Sequence, residues 1–566
     1  MAVLLTLTLA ACNGAGEPPN PATSLCSSDI TPISAVQGDG PVSPLGNSTV
    51  TVRGVVTRVQ QGVGLYLEEP VGSTKASRAI FVADDSLSRS TRPTLEIAVR
   101  GRVEERGKGR DTLTSLSAVE AVATCAERAA LPRTTVSLPL DMRQREAFEG
   151  MRLALAEPLV LSDHYDAHRG EWTLSPTHPL RIPTEDTDPG SAASKLALRN
   201  KTNAIEVILP GPDRPAAPVG ASLRGVQGVL GQFDDQQRLL LEQLPDISIT
   251  TPAAIAPPER GRLRVVSLNL LNYFNGDGQG GGFPTERGAR NLAEFRAQQA
   301  RTAAGLQRLQ SHLLAVQELE NDGFRPDSAA RSLLDSLNSG DAADWAVVDP
   351  GGGQIGSDVI TVGLFYRRQA VEPIGAAELL HAPPFDGRSR VPLAQVFRDR
   401  TGGSTFLVAV NHLKSKGRCP ESGLNSDQGD GQGCWNLART EAVRSLLPWL
   451  QGLAEKAGTT QVLILGDMNA WRREEPIRAF REGGYVELVE TAAGLPQYSF
   501  LYFGQRGTLD YAWASPALAR QARHAAIWHI NADWPRDIAP PQPWLRLSDH
   551  DPVVVDFDFS QAATSD

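Results

Sequence analysis

The pattern of hydrophobic positions changes character near residue 250 of the 566-residue chain. Before that point, apolar and polar residues alternate in short runs separated by glycines, which is typical of short strands in small β-barrels. Beyond it, strand-like apolar runs alternate with stretches of helical periodicity, most clearly at 292–309 and 437–454. The first part therefore predicts all-β domains, and the second predicts an α/β domain.

Four strands are predicted near the start of the chain, and their order resembles that of OB-fold modules. They are Val50–Val59, Gly64–Glu68, Ala79–Val82 and Leu95–Val103. We assign residues 26–135 to an OB-like β-barrel and residues 140–250 to a second all-β, OB-like domain. OB-folds commonly bind single strands through aromatic stacking and a basic groove. Aromatic residues are sparse here, so a spacer or positioning role is an equal alternative.

The α/β domain is predicted to span residues 260–560, after a Pro- and Ala-rich boundary at Thr251–Pro258. Its strands are predicted at Leu263–Leu271, Leu313–Gln317, Val359–Tyr366, Thr405–Leu413, Gln461–Leu465, Thr508–Ala514 and Pro552–Phe559. The last run ends in strict alternation, as expected of a strand with one face in water.

Residues 1–25 are predicted to be a signal segment and linker. The tetrapeptide Leu9-Ala10-Ala11-Cys12 resembles a bacterial lipobox, which implies lipidation of Cys12 and an extracytoplasmic protein that is lipid-anchored or secreted. No Lys or Arg precedes Cys12, so whether Met1 is the true start stays open. The alternative is a chance cysteine at the end of an ordinary apolar segment. No apolar run is long enough to span a bilayer, so membrane attachment would be through the lipid alone.

The four other cysteines are an even number, as expected in an oxidising compartment. Cys26 and Cys125 flank the first predicted domain, whereas Cys419 and Cys434 flank a short Gly- and Asp-rich loop. Four cysteines allow three connectivities. We predict pairing within each segment, because this is the simplest arrangement.

Composition describes an ordinary soluble globular protein, with 41% hydrophobic and 21% charged residues. This balance excludes a disordered chain and a protein built of membrane spans. Acidic residues outnumber basic ones by 65 to 55, which gives a formal net charge of −10. A polyanionic partner would therefore have to be bound by a local basic patch.

Polar residues close successive apolar runs of the predicted α/β domain. They are Asn269, Glu318, His412, Asp467 with Asn469, Asp510 and the Asp549-His550 pair. Hydrolysis of a phosphodiester needs a hard cation, a group that activates water, and donors for the charge that develops. Oxygen ligands suit Mg²⁺ or Mn²⁺. Each residue alone also has a structural explanation, such as a turn after a strand or a solvated surface carboxylate.

Six short motifs in a fixed order resemble the endonuclease/exonuclease/phosphatase superfamily, over about half of the chain. They are Ser267-Leu-Asn269, Val316-Gln-Glu318, Val410-Asn-His412, Gly466-Asp467-Met-Asn469, Leu509-Asp510-Tyr511 and Ser548-Asp549-His550. The resemblance implies a DNase I-like four-layer β-sandwich flanked by helices, an α+β or α/β fold.

The same resemblance implies the roles of these residues. Glu318, Asn269 and Asp549 would bind Mg²⁺ or Mn²⁺. The catalytic set would be Asp467, Asn469, His412, His550 and Asp510, with Asp510 orienting His550. Glu320 competes with Glu318 as the metal ligand, because strand alternation puts both side chains on one face. Asp358 is a candidate for orienting His412.

A second resemblance concerns the segment from His412 to Arg439, which is similar to the large secreted bacterial nucleases of the ExeM/NucH type. The segment Ser389–Gln395 also looks like their substrate-side loop, so the resemblance implies a local basic patch that includes Lys414, Lys416 and Arg390. Tyr366 and Asn411 are further candidates for substrate contact, although a Tyr-Arg pair at a strand end is usually an amphipathic edge. The alternative is a solvated loop closed by a disulfide. Asp427 and Asp430 could instead bind Ca²⁺, although no complete EF-hand loop is present.

We therefore predict a metal-dependent extracellular nuclease that cleaves DNA, or RNA, by in-line attack of an activated water. The basic loop favours nucleic acid over lipid, and no obligate protein partner is indicated. The alternatives are a phosphomonoesterase or another phosphodiesterase of the same superfamily, and an inactive surface protein that binds DNA. Whether cleavage would be endo- or exonucleolytic stays open.

Overall fold

The structure is a computed structural model that describes residues 24–27, 29–70, 76–107, 112–260, 262–339, 344–351, 353–385, 389–494 and 497–559. The predicted lipidation site, Cys12, lies outside the described residues. The chain divides into two compact units. The first is formed by Met1–Ala156 with Gly225–Leu244, and the second by Glu157–Arg224 with Pro245–Asp566. Residues 140–250, predicted as one all-β domain, contribute to both units.

The first unit contains a closed five-stranded barrel with strand order β1-β2-β3-β5-β4. The elements in chain order are α1 (Ile33–Gln37), β1 (Thr49–Gln60), β2 (Gly64–Glu68), β3 (Ala79–Val82), α2 (Asp85–Ser90), β4 (Leu95–Arg106) and β5 (Leu113–Glu127). Strands β3 and β5 pair in parallel, and the other pairs are antiparallel. Alternate valine, leucine and isoleucine side chains fill the interior.

Residues 134–248 form shorter strands and helices. In chain order they are β6 (Thr134–Val136), α3 (Met142–Ala147), β7 (Arg152–Leu155), β8 (Leu159–Asp163), a 3₁₀ turn (Ala167–Arg169), β9 (Glu171–Ser175), β10 (Leu180–Arg181), α4 (Pro183–Asp186), α5 (Ser191–Asn203), β11 (Ile205–Ile208), β12 (Ser222–Arg224), β13 (Gln227–Phe233), β14 (Gln236–Leu241) and β15 (Asp246–Ser248). In the first unit the strand order is β14-β13-β7-β6, and in the second it is β15-β12-β8-β9-β11.

The rest of the second unit has the mixed α/β architecture predicted from the sequence. Its strands are β16 (Leu263–Tyr273), β17 (Leu313–Glu320), β18 (Trp345–Val347), β19 (Ile360–Arg367), β20 (Val371–Leu379), β21 (Leu393–Asp399), β22 (Thr405–His412), β23 (Val462–Asp467), β24 (Val486–Glu487), β25 (Phe500–Tyr502), β26 (Gln505–Gly507), β27 (Asp510–Ala514), β28 (Ala522–Ile527) and β29 (Val553–Phe557). Its helices are α6 (Leu292–Leu309), α7 (Ala329–Leu337), α8 (Asn436–Lys456), α9 (Glu475–Glu482), α10 (Leu488–Ala493) and α11 (Pro516–Ala519).

Two six-stranded sheets pack face to face and carry helices on their outer faces. The strand orders are β18-β19-β17-β16-β29-β28 and β20-β21-β22-β23-β27-β24. Apolar side chains of both sheets form one shared core, including Val265, Val362, Val408 and Leu463. Helices α6 and α7 cover the first sheet, and α8 and α9 cover the second. The central strands read as nearly continuous apolar runs because both of their faces are buried.

Residues 180–186 of the second unit contact two segments beside catalytic candidates. One segment lies just before Asp510, and the other lies just after Asn469. Strand β10 pairs in parallel with β26. In α4, the buried carboxylate of Glu185 accepts a hydrogen bond of 2.8 Å from the backbone N–H of Thr508. It also lies 3.7 Å from the buried guanidinium of Arg472. A buried charge is tolerated only when it is paired and hydrogen-bonded in this way.

Both predicted disulfides, Cys26–Cys125 and Cys419–Cys434, are confirmed. Their Cα–Cα distances are 5.6 and 5.4 Å. Structural disulfides are typical of proteins in oxidising, extracytoplasmic compartments. Among the described residues, no helix combines the length and hydrophobicity needed to cross a membrane.

Candidate active site

Strand ends from both sheets bring most of the predicted residues to one edge of the sandwich. Asn269 lies opposite Gln317 where β16 and β17 run in parallel, so Glu318 follows directly. His412 and Asp467 lie opposite each other at the ends of the parallel strands β22 and β23. Asp510 begins the antiparallel strand β27 opposite Asp467. The carboxyl ends of parallel strands and the amino ends of their antiparallel neighbours meet at the same edge, which explains the convergence.

The buried carboxylate of Asp467 is at the centre of this group. Its Oδ2 accepts a hydrogen bond of 3.2 Å from Asn269 Nδ2 and lies 3.5 Å from His412 Nε2 and 3.9 Å from His550 Nε2. Its Oδ1 accepts a hydrogen bond of 2.8 Å from the backbone N–H of Asn469. Burial, opposed by the charge of His550, raises the pKa of Asp467 to about 7. A carboxyl group with this pKa can both accept and release a proton near neutral pH.

His550 is paired with Asp510 on the opposite side of its ring. Nδ1 donates to Asp510 Oδ2 over 2.7 Å, and the Phe500 ring lies against the imidazole with centroids 4.6 Å apart. Burial alone would lower the pKa of His550. The carboxylates of Asp510 and Asp467 outweigh burial and hold this pKa well above its ordinary value of 6.5. His550 is therefore a cation at neutral pH.

Replacement of Asp510 by asparagine is expected to lower the pKa of His550, because burial would then act with one less carboxylate to oppose it. The raised pKa also stabilises the folded protein. This stabilisation is fully present below the unfolded value of 6.5 and is lost as the pH rises through the folded value. An NMR titration of the histidine rings, in EDTA, measures the shift. An unchanged His550 pKa in Asp510→Asn, or an equal shift in the loop variant Asp427→Asn, would contradict the pairing.

Backbone contacts fix the segment that carries Asp549 and His550. The buried Asp551 accepts hydrogen bonds from the N–H groups of Asn531 and Ala532, over 2.7 and 3.1 Å. Ser499 links this segment to Asp510, since its hydroxyl donates to Asp510 Oδ2 over 2.6 Å and its carbonyl accepts from Asp551 N–H over 2.8 Å. Sequence reasoning missed Ser499. Ser499 lies between two aromatic residues upstream of the Leu509-Asp510-Tyr511 motif, and no spacing in the sequence distinguishes it.

His412 is fully buried, and burial holds its pKa well below 6.5, with Arg390 adding to the effect. The imidazole is therefore neutral, and its Nε2 is positioned to donate towards Asp467. Asp358, the candidate for orienting His412, is instead paired with Arg390 Nε at 3.2 Å and with Arg287 at 3.5 Å. His412 Nδ1 has no hydrogen-bond partner among the described residues.

Glu318 and Glu320 occupy different surroundings, although alternation predicted the same face for both. The backbone of Glu318 is left-handed, with φ of 58°, and the pairing register with β19 shifts at this point. Glu318 accepts a hydrogen bond from Asn272 N–H, whereas Glu320 accepts one from Asn275 N–H, each over 3.0 Å. Leu271, Asn272 and Asn469 also have positive φ. Such conformations cost about 1–3 kcal/mol each and cluster at functional sites.

A basic cavity of about 650 Å³ meets this group at Arg390, whose backbone N–H donates to the His412 carbonyl over 3.3 Å and whose charge interacts with Glu318 and Asp467. Its lining includes Arg390, Lys414, Arg287, Arg418 and Trp435. The Lys414 ammonium lies 5.0 Å from the centre of the Trp435 ring. Burial lowers the pKa of Lys414 to about 8, so most of its population stays charged at neutral pH. Four basic residues of the lining outnumber the two acidic ones, Glu286 and Asp358, so the cavity is net positive although the chain is acidic overall.

Three predicted substrate contacts do not line this cavity. Lys416 has only 16% of its side chain exposed, and its ammonium lies 2.6 Å from the buried carboxylate of Glu474. Asn411 is fully buried and donates to the Leu465 carbonyl over 3.4 Å. Tyr366 pairs with Leu313, at the beginning of β17, because β19 runs antiparallel to β17. It therefore lies at the opposite end of the sheet from Glu318.

The sequence profile of the Endonuclease/Exonuclease/phosphatase family matches residues 266–550, which is half of the chain. The chain belongs to this family. Members of the family are hydrolases that act on phosphoester bonds. No curated protein matches the chain significantly.

Several solved structures are similar to this member of the family. The human Nocturnin catalytic domain with bound sulfate is 19% identical, over 53% of this chain and 96% of its own, with a TM-score of 0.33. A mannosyl-6-phosphatase from Bacteroides thetaiotaomicron is 16% identical, over 52% and 98%, with a TM-score of 0.36. D. rerio TDP2 in complex with a single-strand DNA product is 15% identical, over 52% and 98%, with a TM-score of 0.33.

Enzymes of this family typically use a divalent metal ion, and the donor set here fits one. Burial raises the pKa of Glu318, and the negative charge of the nearby Asp549 raises it further. Two such carboxylates are the hard oxygen donors that Mg²⁺ and Mn²⁺ prefer, and Asn269 lies nearby with its amide oxygen accepting from the Leu271 N–H over 3.0 Å.

A second group of potential ligands consists of Asp467, Asp510 and His550. These three residues bring ligand atoms within 4.8 Å of one another. The described residues contain no other group of His, Cys, Asp or Glu with this geometry. Here, however, Nδ1 of the cationic His550 is already committed to Asp510. Both groups nevertheless offer ligand atoms for a divalent ion.

Proposed function

We propose that this protein is a metal-dependent phosphodiesterase that hydrolyses nucleic acid, with DNA as its main substrate. The observation that carries the proposal is the basic cavity. It places Arg390, Lys414 and Trp435 next to the group around Asp467. Guanidinium and ammonium groups neutralise backbone phosphates, and an indole ring can stack on a base. A sugar monophosphate would need no such extended basic surface.

In this proposal the chain's own residues divide the work between proton transfer and charge stabilisation. Asp467, with a pKa of about 7, accepts a proton from the attacking water while Asn269 and Asn469 N–H hold its two oxygens. The cationic His550, fixed by Asp510, stabilises the negative charge that develops on the phosphate. A divalent cation held by Glu318 and Asp549, with Asn269 nearby, would supply further neutralisation of the phosphate oxygens.

The remaining parts of the chain fit an extracytoplasmic setting. We propose that Cys12 carries a lipid or that the protein is secreted, as the two disulfides favour an oxidising compartment. The strand order of the closed barrel, with one parallel pair, supports an OB-like domain that acts as a spacer or binds a strand. The likeness to secreted nucleases of the ExeM/NucH type belongs to the same proposal.

A panel of substrates tests the function directly. The purified full chain is incubated with plasmid DNA, single-stranded DNA, RNA, a sugar phosphate and sphingomyelin, with Mg²⁺ or Mn²⁺ and with EDTA. We expect cleavage of nucleic acid that requires the metal and stops in EDTA. Release of inorganic phosphate from the sugar phosphate alone would identify a phosphomonoesterase. Binding of DNA without cleavage under any metal would identify an inactive DNA-binding protein.

A further inference from the structure

A second cavity, of about 640 Å³, reaches the candidate site from the side of Asp549. Its lining includes Asn272 and Asp549 from the site, together with Phe500, whose ring lies against His550. It also includes Tyr165, which comes from the segment between β8 and β9. The all-β residues that precede the family match therefore contribute directly to a wall beside the reacting groups.

Exposed aromatic rings gather at the mouth of this cavity. The exposed fraction is 64% for Tyr165 and 74% for Phe503, and the neighbouring Tyr502 is 44% exposed. Tyr502 and Phe503 meet edge to face with ring centroids 4.6 Å apart. We call Tyr165 and Phe503 the aromatic ledge. Exposed apolar rings grouped beside a polar site are typical of a binding surface.

The ledge is held by its neighbours rather than placed on a free loop. The backbone N–H of Tyr165 donates to Asp163 Oδ1 over 3.0 Å, and the adjacent His164 Nε2 lies 2.7 Å from the Asp533 carbonyl. Gly504, next to Phe503, lies so close to Asp163 that an added Cβ would stand 2.6 Å from the Asp163 Cβ. The two segments that carry the ledge residues thus pack against each other, which reduces the ordering needed when a ligand binds.

Positive charge lies beside the ledge without a protein partner to neutralise it fully. Arg301 lines the cavity and is partly buried, and its side chain makes no hydrogen bond or ion pair with any residue that the structure describes. Arg536 is 68% exposed and has only a distant contact of 3.8 Å with Asp537. The lining also includes Arg546 and three acidic residues: Glu294 is paired with Arg290 at 2.7 Å, Asp163 accepts the Tyr165 N–H bond, and Asp549 belongs to the candidate site. An anion with an attached flat ring matches this arrangement.

We propose that the ledge binds the unpaired nucleotides of a single-stranded nucleic acid next to the scissile phosphate. The bases stack on Tyr165 and Phe503, and Arg301 and Arg536 contact the backbone phosphates. Duplex nucleic acid keeps its base faces stacked inside the helix, so only unpaired bases can use the ledge. The inference rests on the proposed function and deepens it, because it makes single strands the preferred substrate class.

Binding measured without catalysis tests the ledge. Fluorescence anisotropy in EDTA follows labelled 12-nucleotide single-stranded DNA, RNA of the same sequence, and the DNA duplex, with the full chain. We expect Tyr165→Ala and Phe503→Ala each to weaken single-strand binding about tenfold, since stacking accounts for roughly that much per base. Duplex binding should change less than twofold. Tyr165→Phe and Phe503→Tyr should retain binding, and Leu198→Ala, an equally exposed apolar residue on α5, should have no effect.

Two outcomes would overturn the inference. Equal losses for single strands and duplex would mean a general structural effect. Unchanged single-strand binding in a variant that carries both Tyr165→Ala and Phe503→Ala would mean that no base stacks there. Arg301→Gln should lower single-strand affinity and flatten its salt dependence, which a merely structural arginine would not do. Ledge-dependent binding without hydrolysis of any diester would reject the proposed function alone. Hydrolysis with ledge-independent binding would reject this inference alone.

Discussion

Replacement of Asp467 by asparagine is expected to lower kcat for phosphodiester hydrolysis by about three orders of magnitude, as expected on loss of a positioned acid–base group. The amide keeps the shape of the side chain and can still hold the Asn469 N–H bond at Oδ1. It cannot take a proton from water near pH 7, and it removes the negative charge that faces His550 Nε2 at 3.9 Å.

Initial rates on the best nucleic acid substrate at saturating Mg²⁺ or Mn²⁺ measure this effect. Asp322→Asn provides the control, because Asp322 accepts a backbone hydrogen bond from Ala329 that asparagine can also accept. Thermal unfolding of both variants shows that the fold is retained. A loss of less than about tenfold in Asp467→Asn would mean that another group activates the water.

Replacement of Glu318 by glutamine is expected to raise the metal concentration for half-maximal activity by at least about a hundredfold, since even residues that only support metal ligands commonly cost 10- to 100-fold. The Glu318 carboxylate is partly buried and feels the negative charge of Asp549, so a cation held by these residues would gain from two negative charges. Glutamine offers one neutral oxygen and leaves Asp549 to bind the cation with little help.

Glu320→Gln is the matched control for this change, because Glu320 is two residues away and bonded instead to Asn275 N–H. Activity is titrated with Mg²⁺ and Mn²⁺ after treatment with EDTA, and metal binding is followed by calorimetry. A shifted metal requirement in Glu320→Gln with none in Glu318→Gln would reverse the assignment of the two carboxylates.

The order of the polar motifs predicted the family and the convergence at one sheet edge. The Asn269, Glu318, His412 and Asp467 motifs lie at or near the ends of β16, β17, β22 and β23, whereas Asp510 begins β27 and the Asp549-His550 pair precedes β29. The choice between Glu318 and Glu320 could not be made, because alternation fails at the left-handed backbone of Glu318. Periodicity also carries no strand direction. Tyr366 ends an apolar run, as His412 does. Because β19 is antiparallel to β17, however, Tyr366 lies at the opposite end of the sheet.

Charged residues were predicted less well than strands, because their partners lie far along the chain. From the sequence, Lys416 resembles any exposed basic residue of a loop. It is instead buried in an ion pair with Glu474, which lies 58 residues later in the chain. Ser499 gains its role from two contacts, with Asp510 and Asp551, that no local pattern encodes. Tertiary packing, rather than composition, decides which charges stay free for a substrate.

The buried bond from Glu185 to Thr508 has a meaning for the limits of the hydrolytic domain. Residues 266–550 match the family, whereas the compact unit begins at Glu157. Without Glu185, the Thr508 N–H and the Arg472 guanidinium would lose a buried acceptor just before Asp510 and just after Asn469. The segment that matches the family is thus shorter than the segment that folds as one compact unit. Recombination that exchanged only the family segment would separate the catalytic strands from residues that stabilise them.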